Sequence, residues 1–138
     1  MFENNSFGKT VDILHRTMDV ALLRRGVLAD NMANADTPNF KRSDINFESE
    51  LKRALDSEKK SGLAAAMTNT RHIPFNRTYD YKDVGPRRVL DYLSTTDNNG
   101  NNVDLEEESM LLLENQLSYD LMSRAISNQF TQLNLVLR

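Results

Sequence analysis

The chain has 138 residues, a formal net charge of −3, a mean hydropathy of −0.57 and no cysteine. This length suits one domain with one modest core, and the missing cysteine excludes disulfides and thiolate chemistry. The acidic balance argues against binding to nucleic acid, which needs clustered and uncompensated Lys and Arg.

The N-terminal stretch lacks the features of a cleavable secretion signal. It has no basic segment followed by an apolar one, and no window of the chain approaches about 18 consecutive apolar residues. We therefore expect no direct membrane insertion. If the protein leaves the cytoplasm, we expect another export route to carry it.

The first predicted element is a helix over residues 9–32. Its apolar side chains recur every three or four residues, the spacing of one buried stripe: Val11, Leu14, Met18, Ala21, Leu22, Leu28 and Met32. Thr10 or Ser6 is suited to open this helix. Gly26 inside it costs about 1 kcal/mol relative to alanine, so we expect tertiary contacts to supply much of its stability.

The segment "ANADTPNFKR" predicts an abrupt end to this helix. Asn34 suits a left-handed terminating conformation, Thr37 is pushed extended by the following proline, and Pro38 cannot donate to a continuing helix. Residues 36–39 are then expected to form a turn stabilised by Asp or Asn side chains.

A second, shorter helix is predicted because Phe47, Leu51 and Leu55 recur at intervals of four. Three polar residues are candidate caps at its start: Ser43, Asp44 and Asn46.

Residues 56–101 lose this periodicity and contain many turn-forming residues. Within them, residues 69–81 have room for at most one or two short strands, and "TTDNNGNN" at 95–102 is a dense turn cluster. We expect an irregular middle segment that holds, at most, a short β-hairpin.

The C-terminal segment predicts the longest helix. Asp104 and Glu107 resemble a capping box, and acidic residues 106–108 favour the positive end of the helix dipole. Two apolar stripes follow, and each is named here for later use. The first stripe is Met110, Leu113, Leu117 and Leu121; the second stripe is Tyr119, Met122, Ile126, Phe130, Leu133 and Leu137. Thirty-odd residues at about 1.5 Å each give a rod of roughly 50 Å.

Together these elements predict a mainly α fold in which the two terminal amphipathic helices pair as a helical hairpin or coiled coil. The expected division is 1–35 for the N-terminal helix, 36–101 for the turn, short helix and middle segment, and 102–138 for the C-terminal helix. Apolar residues continue almost to the chain end, so we expect other subunits to cover the outer faces. The predicted assembly faces are Leu14, Met18, Leu22, Leu113, Leu117, Leu121, Ile126, Phe130, Leu133 and Leu137.

No reaction centre is evident. His15 and His72 have no partner at metal-ligand spacing, the acidic run near residue 106 is explained by the helix dipole, and no glycine-rich phosphate loop is present. We therefore predict no catalytic residue, no cofactor and no metal site. An unrecognised hydrolase using His72 with Asp80 or Asp83 remains an alternative, and it requires a pocket around His72.

Residues 27–51, "VLADNMANADTPNFKRSDINFESEL", closely resemble the N-terminal signature of bacterial flagellar axial proteins, L-A-x-N-x-A-N-x-x-T-P-x-[FY]-[KR]. The matching residues are Leu28, Ala29, Asn31, Ala33, Asn34, Thr37, Pro38, Phe40 and Lys41. The continuation through Asp44, "HIP" at 72–74, and "GNNVDLEEE" with "ENQLSYDLMS" look most like the proximal rod members. One departure is Asn39, which stands where many members have glycine.

This resemblance implies a structural subunit of the basal-body rod that helps transmit torque from the membrane rotor to the hook and forms part of the export channel wall. It implies export by the flagellar type III apparatus without cleavage, to the periplasmic rod. The implied partners are further copies of the chain, other proximal and distal rod proteins, the rod-base adaptor and the export gate. An F-x-x-x-apolar segment is associated with the export gate in this family, and Phe47 and Leu51 match that spacing, although they also fit a plain helix face.

One hypothesis concerns the role of residues 34–39, and another is an alternative function for the whole chain. Residues 34–39 are expected to act as a joint that ends the inner helix and turns the chain outward. The competing function is a helical adaptor or chaperone-like module that binds a partner helix without entering a polymer.

Overall fold

The computed structural model describes residues 6–59, 66–73, 78–94 and 98–137. Its elements in chain order are α1 (Ser6–Ala33), β1 (Ser43–Asn46), α2 (Glu48–Lys59), a short 3-10 helix (Tyr81–Asp83), β2 (Arg87–Leu90) and α3 (Leu105–Val136). The predicted class is confirmed: the chain is mainly helical, with long terminal helices that pack together and a small two-stranded antiparallel sheet. Pro74 of the "HIP" motif and the chain end at Arg138 lie outside the described residues.

The chain divides into two compact units. The first comprises Met1–Ile45 and Arg88–Arg138 and contains α1 and α3; the second comprises Asn46–Arg87 and contains α2 and the 3-10 helix.

In the first unit, α1 and α3 run antiparallel. The Phe7 and Phe130 rings meet edge to face with their centroids 6.1 Å apart. Farther along α1, the Asn115 side-chain amide donates to the Ala21 carbonyl at 2.9 Å. Later residues of α1 therefore contact earlier residues of α3. This antiparallel arrangement is the predicted hairpin of the two terminal helices.

The apolar core of this unit lies mainly on α1. Val20, Ala21, Val27 and Leu28 are at most 8% exposed. On α3 the second stripe contributes half-buried side chains, namely Tyr119, Met122, Ile126 and Leu133. The first stripe is different, since all four of its side chains are more than half exposed. Only one of the two predicted stripes of α3 therefore contributes to the helix pair.

The strands occupy different positions from those expected. Ser43 and Asp44 lie in β1, where buried and exposed residues alternate, so they are not caps of α2. The prediction that these two residues cap a helix was wrong because the period-two burial of Ser43 and Ile45 holds the segment extended. Helix α2 instead begins at Glu48, after Phe47, whose carbonyl accepts from the Leu51 N–H at 2.9 Å. The described parts of 69–81 contain no strand.

The second unit is held by contacts between α2 and the segment before the 3-10 helix. The Arg53 guanidinium lies over the Tyr79 ring, 5.4 Å from its centroid. The Ser57 hydroxyl accepts from the Tyr79 N–H at 3.0 Å. Leu51, Ala54 and Tyr81 are buried in this unit, and α2 therefore presents one apolar face. Across both units, none of the described helices combines the length and the apolar character needed to cross a bilayer.

Helix α3 begins with an acidic N-cap, as predicted. The Asp104 carboxylate accepts from the N–H groups of Glu106 at 2.9 Å and Glu107 at 3.4 Å.

We expect Asp104→Ala to lower the free energy of unfolding by about 1 kcal/mol, because it leaves these N–H groups without their cap. Urea unfolding followed by far-UV circular dichroism measures the change. The control is Gln116→Ala at an exposed position inside the same helix, which takes no part in the cap, and equal losses for the two variants would contradict the cap.

Candidate functional site

A polar cluster lies in the first unit, where the end of α1, the turn after it and the start of α3 meet. We call this cluster the junction and define it as Asn31, Arg42, Asn101, Asn102 and Glu108. Four of its members are at most 2% exposed, and the Arg42 side chain is 17% exposed. Polar groups so deeply buried are costly unless they are hydrogen-bonded, so their partners decide what the cluster does.

Asn31 connects three chain segments. Its side-chain oxygen accepts from the Ser43 N–H at 3.0 Å, and its amide nitrogen donates to the Ser43 carbonyl at 2.9 Å. The same nitrogen donates to Glu108 Oε2 at 3.0 Å. One side chain on α1 thereby fixes both the start of β1 and the first turn of α3.

Glu108 and Arg42 form an ion pair inside the junction. Arg42 Nε lies 3.0 Å from Glu108 Oε1, and its Nη1 lies 3.4 Å from Glu107 Oε1. The expected capping-box partner Glu107 therefore contacts Arg42, and Asp104 alone caps the helix through its side chain. A buried pair of this kind contributes little net stability, but removing one partner leaves an uncompensated charge and is strongly destabilising.

Asn101 satisfies the backbone that leaves α1. Its side-chain nitrogen lies 3.0, 2.6 and 2.9 Å from the carbonyl oxygens of Asn34, Ala35 and Thr37. Its side-chain oxygen accepts from the Val103 N–H at 2.8 Å. These carbonyls follow the end of α1, and their side-chain donor is a residue more than 60 positions away along the chain.

Asn102 binds the chain that follows the turn. Its side-chain oxygen accepts from the Arg42 N–H at 2.7 Å, and its nitrogen donates to the Asp91 carbonyl at 2.8 Å. The Asp91 N–H in turn donates to the Arg42 carbonyl at 3.0 Å. Asn102 therefore continues the contact between the two segments that carry the strands.

Hydrogen bonds also shape the Asp91 turn. The Ser94 hydroxyl and the N–H groups of Leu93 and Ser94 hold the pKa of the exposed Asp91 carboxyl below its usual range. Because this pKa is lower in the folded chain than in the unfolded one, the turn contributes stability above the unfolded pKa. That contribution is lost as the pH falls through the folded pKa.

The turn after α1 differs from the sequence-based prediction in one respect. Among the described residues, the single non-glycine residue with positive φ is Asn39, at 60°, so the left-handed conformation predicted for Asn34 was wrong. The Thr37 carbonyl accepts from the Phe40 N–H at 3.3 Å, with Pro38 and Asn39 between them, which is the residue arrangement of a type II turn. The last turn of α1 closes instead through the Asn34 N–H, which donates to the Asn31 carbonyl at 3.1 Å, and the Ala35 N–H, which donates to the Met32 carbonyl at 3.3 Å.

The φ of 60° at Asn39 accounts for the residue type found there. Asparagine enters the left-handed region more readily than other non-glycine residues. The turn also meets Gly100, whose φ is 79° and on which an added Cβ would stand 2.8 Å from Asn39 Oδ1. The Lys41 ammonium donates to the Gly100 carbonyl at 2.7 Å.

The structure brings part of the signature into the junction and leaves part at the surface. Leu28 is buried in the core, Asn31 belongs to the junction, and the backbone of Asn34 and Thr37 is bound by Asn101. Ala29, Ala33 and Pro38 are exposed, and Phe40 is half-buried.

Sequence reasoning missed four of the five junction residues. The sequence pattern places Asn101 and Asn102 in a turn cluster and explains Glu108 by the helix dipole, and it indicates no role for Arg42. The available signal was a pair of consecutive asparagines shortly before the Asp104 cap. The segment that they bind follows α1 and lies far away along the chain. That signal indicates a long-range cap only when the two segments are known to be adjacent.

In the part of the chain that the structure describes, His72 and Asp80 of the hydrolase hypothesis have local backbone partners rather than each other. The exposed His72 ring has its Nδ1 3.1 Å from the Ala66 carbonyl, and Asp80 caps the 3-10 helix by accepting from the Lys82 N–H. His15 is exposed on α1. Within the described ranges, no group of three or more His, Cys, Asp or Glu side chains is placed to hold a metal ion.

The hydrogen bonds described for the junction join segments of the same chain, and the helix pair beside it exposes large apolar side chains. This combination defines a helical structural protein whose surfaces are suited to assembly. No family model matches the chain.

Individual relatives extend along nearly all of the chain. It is 46% identical over 134 residues to the flagellar basal body rod protein FlgB of Borreliella burgdorferi, covering 97% of this chain and 99% of that protein. It is 32% identical to FlgB of Bacillus subtilis, with 95% of each covered, and 36% identical to FlgB of Escherichia coli, with 83% of each covered. The chain therefore belongs to the FlgB family of flagellar basal body rod proteins. The signature at residues 27–51 indicated the wider axial family, and the motifs beyond it indicated the proximal rod members.

The contacts of Asn31 predict a large effect of its removal. We expect Asn31→Ala to lower the free energy of unfolding by about 2–4 kcal/mol, because buried groups of Ser43 and Glu108 lose their partners. Ser43→Ala is a matched control, since in the described part of the chain the buried Ser43 hydroxyl has no hydrogen-bond partner. We expect that control to be neutral within about 0.5 kcal/mol or slightly stabilising. Comparable losses in urea unfolding for both variants would refute the role given to Asn31.

The three carbonyls around Asn101 predict a specific sensitivity to the isosteric change Asn101→Asp. The substitution replaces the donor with a carboxylate oxygen that faces carbonyl oxygens, and we expect the melting temperature to fall by about 10 °C or more. Asn98→Asp, at an exposed position of the same turn, is the control and should leave the melting temperature within about 2 °C. A small effect at position 101 would show that the turn does not depend on this cap.

Proposed function

We propose that this chain is a structural subunit of the rod of the bacterial flagellar basal body and has no catalytic role. The observation that carries the proposal is the 46% identity to a basal body rod protein across 97% of the chain. The fold supports it, because a helix pair with exposed apolar faces suits a subunit whose surface is completed by its neighbours.

The proposed assembly faces fall into two groups. Leu22, Leu113, Leu117, Leu121, Phe130 and Leu137 are between 46% and 75% exposed, and we assign them to contacts with other subunits. Leu14, Met18, Ile126 and Leu133 are half-buried and serve the helix pair as well. The partners we propose are further copies of this chain, other proximal and distal rod proteins, the rod-base adaptor and the export gate.

The junction supports a role in torque transmission and in the wall of the export channel. Its buried and mutually hydrogen-bonded side chains resist deformation, since any displacement leaves several polar groups unpaired at once. In our proposal, residues 34–39 act as a joint that directs the chain out of the helix pair. Asn101 binds carbonyls within this joint, and Asn102 binds the Arg42 N–H shortly after it.

The proposed route is export by the flagellar type III apparatus to the periplasmic rod, without cleavage. Phe47 and Leu51, the proposed contact with the export gate, are 1% and 7% exposed in the folded chain. These side chains are therefore accessible to a gate only while the chain is unfolded. In this proposal, Phe47 and Leu51 contact the gate during export, and the same two residues are buried once the subunit has folded.

The joint is tested with Pro38→Ala in cells that lack their own copy of the protein. We expect the unchanged chain to remain in basal bodies after stringent washing, as a rod subunit would and a loosely bound adaptor would not. We expect the Pro38→Ala chain to be exported but depleted from basal bodies several-fold, because the fixed φ of proline helps to define the turn. Quantitative immunoblots of the exported fraction and of purified basal bodies measure both.

The control for this test is Pro86→Ala, which changes another exposed proline outside the joint. Normal rods from the Pro38→Ala chain would remove the joint role. Loss of the unchanged chain during washing would instead contradict the proposed rod subunit.

A further inference from the structure

The apolar contacts between α1 and α3 repeat at intervals that do not define one alignment of the helices. On α1, two sets of apolar side chains recur every seven residues: Phe7, Leu14, Ala21 and Leu28, and Ile13, Val20 and Val27. On α3, Tyr119, Ile126 and Leu133 recur at the same interval. Sliding one helix past the other by seven residues, about 10 Å, again places apolar side chains against apolar side chains.

The polar contacts do not repeat in this way. Asn31 donates to Glu108 near one end of the pair, and Asn115 donates to the Ala21 carbonyl near the middle. Glu108 also pairs with Arg42, which follows the turn after α1. Seven residues before Glu108 stands Asn101, which precedes α3, and seven residues after it stands Asn115 on α3. Neither carries a charge that would meet Arg42.

We propose that Asn31, Arg42 and Glu108 form a register lock that selects one alignment of the terminal helices. A slipped pair would leave the Glu108 carboxylate buried without Arg42, or would leave Asn31 without its acceptor. An unpaired buried charge is strongly unfavourable. Because the replacement of a whole buried ion pair by apolar residues is often neutral for stability, the lock acts on specificity rather than on the strength of packing. Single polar residues in an apolar helix seam are known to set register in this way.

The lock also fixes what the helix pair presents to its surroundings. The first stripe of α3 is exposed, and its height relative to α1 follows directly from the register. This inference goes beyond the proposed function, since it concerns alignment within one chain and is tested on that chain alone.

The absence of native cysteine makes the register measurable by disulfide cross-linking. Phe7→Cys with Phe130→Cys reports the observed alignment, because those rings are in contact. Phe7→Cys with Ser123→Cys or with Leu137→Cys reports a slip of seven residues in either direction. A displacement of about 10 Å exceeds the reach of a disulfide, so the three pairs distinguish the alignments.

Each cysteine pair is placed in the full-length chain with the lock intact and with Arg42→Met and Glu108→Met combined, which removes both charges and keeps Asn31 on Ser43. With the lock intact we expect cross-linking of the 7–130 pair alone. With the double change we expect off-register cross-links to rise about fivefold or more, while the helix content by circular dichroism stays within about a tenth of its original value.

The matched control is Arg53→Met with Glu50→Met, an ion pair of the same residue types at 2.9 Å on α2, away from the helix seam. We expect it to leave the cross-linking pattern unchanged. Exclusive 7–130 cross-linking after the Arg42 and Glu108 changes would overturn the lock. So would off-register cross-linking of the chain in which the lock is intact.

Discussion

The structure depends most on one fully buried carboxylate. Glu108 opens α3, and it meets Arg42 from the segment after the turn and Asn31 from α1. Without those partners its burial would be strongly unfavourable, so three parts of the chain must come together in one arrangement. The ends of the two long helices, which are distant in sequence, are thereby held at a defined position relative to each other.

The asparagines of the junction extend this constraint to the backbone. Asn31 binds the backbone N–H and carbonyl of Ser43, Asn101 binds the carbonyls that follow α1, and Asn102 binds the N–H of Arg42. Amide side chains suit this task because each carries donors and an acceptor without a charge. Asn101 and Asn102 in particular hold the backbone where the chain leaves α1 through a turn centred on Pro38 and Asn39.

The two ends of the helix pair divide the work between polar and apolar contacts. Near the junction the contacts are directional hydrogen bonds, and at the far end Phe7 and Phe130 pack edge to face. The first stripe of α3 takes part in neither and stays exposed. In a member of the FlgB family of basal body rod proteins, such a stripe is what a subunit needs if its neighbours are to complete its core.

The sequence by itself determined the long helices, the helix end near Ala33 and the Asp104 cap. It also indicated the wider axial family through residues 27–51 and the proximal rod members through the motifs that follow. These follow from local patterns: apolar spacing, capping residues and a contiguous signature. Tertiary structure alone decided that Ser43 lies in a strand, that Asn39 rather than Asn34 takes positive φ, and that the second stripe rather than the first faces α1. It also decided the junction, because Asn101 and Glu108 become caps and ion-pair partners only through segments more than 60 residues away. A local pattern holds no information about which distant group will satisfy a buried polar atom.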